Sequence, residues 1–258
     1  MPPIPLIELL PANAFAAFLI FSRLGAALMM LPGFGELYVP QRYRLLLALM
    51  MAGLLMPVIA PLLPPLPASA SQLAVIVLGE VVIGLFIGTV ARIMVATLET
   101  AGMIVSLQTG LSAATMFNPL SDQQSSPLPA AFLGMLGVVV IFLTDLDHLL
   151  LRAVVDSYAL FTPGVLPPLG DLSETISRLV AGTFRLAIEI SAPFLVLGIV
   201  FFAALGVVAR MVPQLMVLFI AQPLQIMGGL LVFAVVLVTG MRWFLEAFVQ
   251  QMGFLVGS

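Results

Sequence analysis

The sequence predicts an all-α, polytopic integral membrane protein. Of its 258 residues, 62% are apolar and 8% are charged, whereas a soluble domain carries about a quarter charged. Mean hydropathy is +1.23. A soluble chain of this size lacks the polar surface to cover so much apolar side chain. The apolar residues also fall into runs that reach the length of a membrane span, about 20 residues at 1.5 Å rise each.

Composition excludes several chemistries. There is no Cys, so no disulfide, thiolate metal site or Cys nucleophile is available. All nine basic residues are Arg, which keeps its charge when desolvated and forks onto carboxylates. A net charge of -3 is too small to point to nucleic acid. No Walker loop, G-x-S-x-G or H-E-x-x-H occurs, so the chain is read as non-enzymatic and without a cofactor.

The first apolar segment runs from about Ala12 to Leu31 and stops at the breaker Pro32-Gly33-Phe34-Gly35. No basic residue precedes Arg23, so this segment does not read as a cleavable signal and is expected to persist. Arg23 lies inside it, and an interhelical ion pair or a snorkelling side chain is favoured over a transport role. Segment two opens at Val39-Pro40-Gln41-Arg42-Tyr43-Arg44 and reaches about Ala60, with Pro40 at its start. The positive-inside rule would put Arg42 and Arg44 in the cytoplasm, but Arg152, Arg178, Arg210 and Arg242 do not all follow the alternation.

A stiff connector, Pro61-Leu62-Leu63-Pro64-Pro65-Leu66-Pro67, leads to segment three, which runs from about Leu73 past Gln108. Gly84 and Gly88 form a small-xxx-small pair that admits a second helix. Arg92 and Glu99 share a helix face but stand roughly 10 Å apart along the axis. Each therefore needs its own partner, as does Glu80, which lies about 120° round from Arg92. Unpaired charge in hydrocarbon is costly, so a subunit interface is favoured over a proton relay for these three.

Segment three then delivers a hydroxyl- and amide-rich stretch, from Gln108-Thr109-Gly110-Leu111-Ser112 through Thr115-Met116-Phe117-Asn118-Pro119 to Pro127. It is the candidate functional loop. Segment four spans about Leu128 to Leu143 and ends at Thr144-Asp145-Leu146-Asp147-His148. A lone His with two acids suggests a metal or acid/base site. A helix-end turn is favoured, because no second His exists and metal sites usually take three or four ligands.

After the breaker at Thr162 to Gly170, Asp171-Leu172-Ser173-Glu174 matches a capping pattern and starts a helix. Arg185 and Glu189 on it are i,i+4 neighbours. Segment five covers about Ala187 to Arg210. Segment six follows Met211-Val212-Pro213-Gln214 and reaches about Trp243, with a kink or re-entrant break expected at Ala221-Gln222-Pro223.

Three stretches together resemble the flagellar biosynthetic protein FliR family and its type III secretion counterparts. The first is Pro32 to Gly35 with Val39 to Arg44 and the helix to Pro57. The second runs from Gly79-Glu80 through Ala101-Gly102, Gln108-Thr109-Gly110 and Asn118-Pro119 to Asp147-His148 and Ser157-Tyr158. The third is Ala192-Pro193, Gly206, Arg210 to Gln214 and Pro223-Leu224. The chain departs from common family residues at Met216, Ala221, Gln225 and Asp147.

The resemblance implies a fused FliP-like (1–172) plus FliQ-like (173–258) unit of long helical hairpins, standing partly above the bilayer in a helical export-gate assembly. It implies a structural, channel-forming subunit of a flagellar type III system in the bacterial inner membrane at the basal body, passing unfolded secreted proteins. The implied partners are FliP-like and FliQ-like subunits, with FlhB-like and FlhA-like proteins, and membrane lipid. The loop at 110–126 is similar to a pore plug, with Gln108, Gly110, Ser112, Thr115, Met116, Phe117, Asn118 and Pro119 as its residues. Glu80, Gly84, Gly88, Arg92, Glu99, Arg185, Glu189, Arg210, Pro213 and Gln214 are expected at subunit interfaces. The alternative is a small-solute transporter using Glu80, Arg92 and Glu99 as an intramembrane relay; a third class, an intramembrane enzyme around Asp145, Asp147 and His148, would lose activity on His148→Ala.

Overall fold

Apolar runs punctuated by Pro and Gly fold into helices, and the described residues hold no strand. A computed structural model describes residues 6–112, 126–211 and 216–256. The helices are α1 (Leu6–Met30), α2 (Gln41–Ile59), α3 (Ala70–Thr109), α4 (Leu128–Leu143), α5 (Leu146–Leu160), α6 (Leu169–Met211) and α7 (Met216–Val256). A single 3-10 turn, Ala60–Leu62, follows α2. Among the described residues, five helices are long and apolar enough to cross a membrane, and α4 with α5 passes the same test as a pair.

The residues form two compact units. One comprises 1–93, 142–179 and 249–258, the other 94–141 and 180–248.

In the first unit, α1 is the core. Leu19, Ile20, Leu24, Leu28 and Leu31 are fully buried, as are Ile83 and Ile87 of α3. The glycines of α3 set the approach. A Cβ at Gly84 would fall 2.2 Å from the Arg23 carbonyl oxygen, and one at Gly88 2.5 Å from Met30 Cβ. The helix admitted by this pair is therefore α1 of the same chain. Gly84 and Gly88, expected at a subunit interface, are already occupied.

The breaker after α1 is an ordered turn. Gly33 takes φ +82°, and a Cβ there would strike the Phe142 ring at 2.1 Å. Phe34 also meets Phe142, with ring centroids 5.6 Å apart. Arg44 closes the turn by donating to the carbonyls of Glu36 and Val39, the latter at 2.8 Å.

In the second unit, small residues again let helices touch. A Cβ at Gly102 would lie 2.4 Å from Ala130 Cα, and one at Gly137 2.3 Å from a Leu98 methyl. Phe194, Phe244 and Phe248 are sealed inside, and Phe233 stacks on both Phe132 and Phe194. Between helices in lipid, such close packing supplies the attraction that water would otherwise drive.

Three sequence expectations need correction. The helix assigned from Asp171 begins at Leu169, since Leu172 N–H already donates to the Pro168 carbonyl. Asp171 therefore sits in the first turn, where its charge suits the helix dipole, and does not cap it. That helix and segment five are one element, α6, continuous through Pro193. Of the kink or re-entrant break expected at Pro223, the break is absent, because α7 stays helical through it. Beyond these, α5 was not expected as a helix.

Candidate functional site

The first charged centre is built on Arg23. Its Nε donates to Glu80 Oε2 at 2.6 Å, Nη1 to Ser157 Oγ at 3.1 Å and Nη2 to the Phe161 carbonyl at 3.4 Å. The guanidinium lies over the Tyr158 ring, 3.8 Å from its centroid. Glu80 Oε1 accepts from Gly164 N–H at 3.4 Å. Both charged side chains are at most 1% exposed. A buried ion pair is tolerated only when further hydrogen bonds satisfy its remaining atoms, and here α1, α3, α5 and the turn after α5 supply them.

Arg23 is thus the interhelical ion pair anticipated from the sequence. Glu80 is its partner, sealed inside the chain; it does not present a carboxylate at a subunit interface. Ser157, Tyr158 and Gly164 complete the centre. Ser157 and Tyr158 stood in a family-like stretch and Gly164 in a breaker. Ser157 and Tyr158 also share the helical spacing of Leu150, Ala153 and Val154, all buried on one face of α5.

Arg92 pairs with Glu36 of the α1–α2 turn, and its side chain stays 43% exposed. Glu36 escaped the sequence reading, although it is the one acid in that apolar breaker, next to Arg42 and Arg44. Glu99 behaves differently. It is half-buried, and its Oε1 and Cγ lie 3.1 and 2.8 Å from where a Gly134 Cβ would stand.

Where α3 ends, the base of the 110–126 loop is clamped. Gln225 of α7 donates from Nε2 to the Gln108 carbonyl at 2.7 Å. Gly110 turns with φ +74° and sits under the Gln225 amide, 3.5 Å from its oxygen at the nearest point a Cβ would reach. Gly229 leaves room for Thr109, and Gly198 of α6 for the Gln108 amide. An apolar cavity of about 240 Å³ adjoins this base, lined by Thr109, Leu111, Leu128, Phe132, Gly229 and Phe233 among others. Gln225 and Gly229 were not picked out as site residues; Gln225 stood out only as a departure from common family residues.

Arg185 and Glu189 pair at 2.8 Å on an exposed face of α6, and Arg210 is exposed at its last turn. Arg178 pairs with Glu174, and Arg152 with Asp156 at 3.3 Å. The Arg set thus serves the chain's own acids to a larger extent than the intersubunit pairing expected. Asp145, with φ +57°, and Asp147 and His148 form the α4–α5 corner, and their ligand atoms lie within 4.8 Å of one another. Asp145 and His148 are exposed, as at a helix-end turn. Thr115, Met116, Phe117, Asn118, Pro119, Pro213 and Gln214 lie outside the described residues.

Comparison with known proteins decides the family. The profile of bacterial export proteins, family 1, matches residues 14–251. The chain belongs to this family. It is 40% identical to the flagellar biosynthetic protein FliR of Caulobacter vibrioides over 222 residues, covering 86% of this chain and 88% of that one. It is 30% identical to FliR of Bacillus subtilis over 218 residues, 83% of each chain. The Yop proteins translocation protein T of Yersinia pestis is 31% identical over 169 residues, 63% of this chain and 62% of that one.

Membership makes the chain a membrane-embedded component of a flagellar or type III export apparatus. In this member of the export family the charged residues of α3 go to separate places. Glu80 turns inward to Arg23, Arg92 meets the α1–α2 turn, and Glu99 rests on a glycine of α4.

Proposed function

We propose that this chain is a structural, channel-forming subunit of the export gate, passing unfolded proteins across the inner membrane at the flagellar basal body. The apolar surface the chain leaves uncovered carries the reading. Only 17% of the span window in α2, 11% of that in α6 and 17% of that in α7 is buried within the chain. Exposed Val196, Ile199, Val200, Phe202 and Val207 continue along α6. FliP-like and FliQ-like subunits would cover these faces, with FlhB-like and FlhA-like proteins nearby. The long α6–α7 pair supports a FliQ-like part after residue 172.

The loop at 110–126 would plug the channel. Its clamped base, Gln108 held by Gln225, supports that reading, since a plug must be held at its root. A transporter relay through Glu80, Arg92 and Glu99 gains no support, because Glu80 and Arg92 are each committed to a separate partner.

The test is to express the chain with and without FliP-like and FliQ-like subunits, purify in mild detergent, and weigh the particles by native mass spectrometry. A discrete hetero-oligomer holding one copy of this chain is expected. A monomer or homodimer indifferent to those subunits would overturn the reading.

A further inference from the structure

Glu99 is a half-buried carboxylate with no cation against it among the described residues. All nine Arg and the single His lie among the described residues. Arg23, Arg92, Arg152, Arg178 and Arg185 are paired with Glu80, Glu36, Asp156, Glu174 and Glu189. His148 lies on Asp147. Arg44 is held by carbonyls, and Arg42 lies over the Tyr43 ring. Arg210 and Arg242 are exposed at other helix positions. None of these meets Glu99.

The surroundings say what kind of partner fits. On α3, Ala96, Glu99, Met103 and Leu107 recur at helical spacing and share one open stripe. Met103 is 45% and Leu107 63% exposed. Of the rest of the turn, Leu98, Ala101 and Gly102 are buried in the second unit, and half-buried Thr100 donates to the Ala96 carbonyl at 2.8 Å. Across from the carboxylate, Gly134 has no side chain; any other residue there would push Glu99 aside. The stripe is therefore apolar, with one charge set into it at a fixed place. An apolar stripe attracts an apolar helix, and a carboxylate inside it is costly unless that helix brings the opposite charge. A chain of lipid methylenes cannot supply it.

We propose that Glu99 receives a guanidinium or ammonium group borne on an otherwise apolar helix of a neighbouring export-gate subunit, so that this ion pair forms only on assembly. The single charge fixes register: a helix shifted along the stripe leaves both charges unpaired. This rests on the export-gate reading and names the partner chemistry at one of its interfaces.

The experiment is co-expression of wild type, Glu99→Gln and Glu99→Arg chains with FliP-like and FliQ-like subunits, with the hetero-oligomer quantified by native mass spectrometry. Recovery should fall by roughly a hundredfold for Glu99→Arg, through like-charge contact, and by roughly tenfold for Glu99→Gln, through an unpaired partner charge. The isolated Glu99→Gln chain should match wild type in helicity and monodispersity, because no partner within the chain is lost. If Glu99→Arg fails to fold, the near-isosteric Gln variant decides. Wild-type recovery for Glu99→Gln and for a folded Glu99→Arg would overturn the inference and place the carboxylate against water. Failure of the wild-type chain itself to assemble would overturn the export-gate reading, and this inference with it.

Discussion

Arg23 and Glu80, 57 residues apart, meet at 2.6 Å with neither side chain more than 1% exposed. The pair binds the first helix to the third where a turn from beyond α5 also arrives. Its value is asymmetric. Intact, it is satisfied by Ser157, Phe161 and Gly164; with one member gone, the other is a lone buried charge.

Arg23→Met or Glu80→Gln should therefore cost about 3–5 kcal/mol each. The double change Arg23→Met with Glu80→Gln should cost less than the sum of the single changes, because no charge is stranded. Unfolding in mixed micelles with increasing dodecyl sulfate measures all three. Strict additivity would show that the two residues do not act as a pair.

Glycine positions should split into two groups. Gly84→Ala puts a methyl 2.2 Å from a backbone oxygen of α1, so the helices must separate at a cost of about 1–3 kcal/mol. Gly182→Ala, with nothing within 4 Å of the added carbon, should stabilise α6 by up to about 1 kcal/mol. The same unfolding assay reads both, and equal effects would contradict the close α1–α3 packing.

The loop base yields a third expectation. Gln225→Leu removes the donor to the Gln108 carbonyl, for about 1 kcal/mol of local stability. Amide exchange should rise at 105–112 and stay unchanged at 83–91. In the assembled complex, deleting 110–126 should raise small-solute leakage across liposomes, and Gln225→Leu should raise it less. Unchanged leakage after the deletion would end the plug reading.

Much of the helix layout was legible because it rests on hydropathy and breakers. The Leu128 to Leu143 segment coincides with α4, and α2 and α3 begin and end within a few residues of expectation. The helix α5 was hidden because Asp147, His148, Arg152 and Asp156 dilute its apolar pattern, and it is too short to be a span. Pro223 was overweighted as a break. A proline costs a helix one backbone donor, and a long apolar helix absorbs that loss. The partners of Glu80 and Arg92 were out of reach for another reason. Their counter-ions come from 57 and 56 residues away, and helical spacing says nothing about contacts between helices. Gly84 and Gly88 were correctly read as an approach surface, but sequence alone cannot tell an internal helix from an external one.

The helices α6 and α7 contain 43 and 41 residues. At 1.5 Å per residue each is about 60 Å long, while the hydrocarbon of a bilayer is about 30 Å thick. Lying along the membrane normal, either rod leaves half its length outside the oil; the first half of α6 carries Asp171, Glu174, Arg178, Arg185 and Glu189, whereas α7 is uncharged up to Arg242. No tilt of ordinary size removes the mismatch. Lipid is therefore only half a solvent for these helices. The charged half of α6 can stand in water, so that helix carries within its own sequence the mark of where the membrane stops.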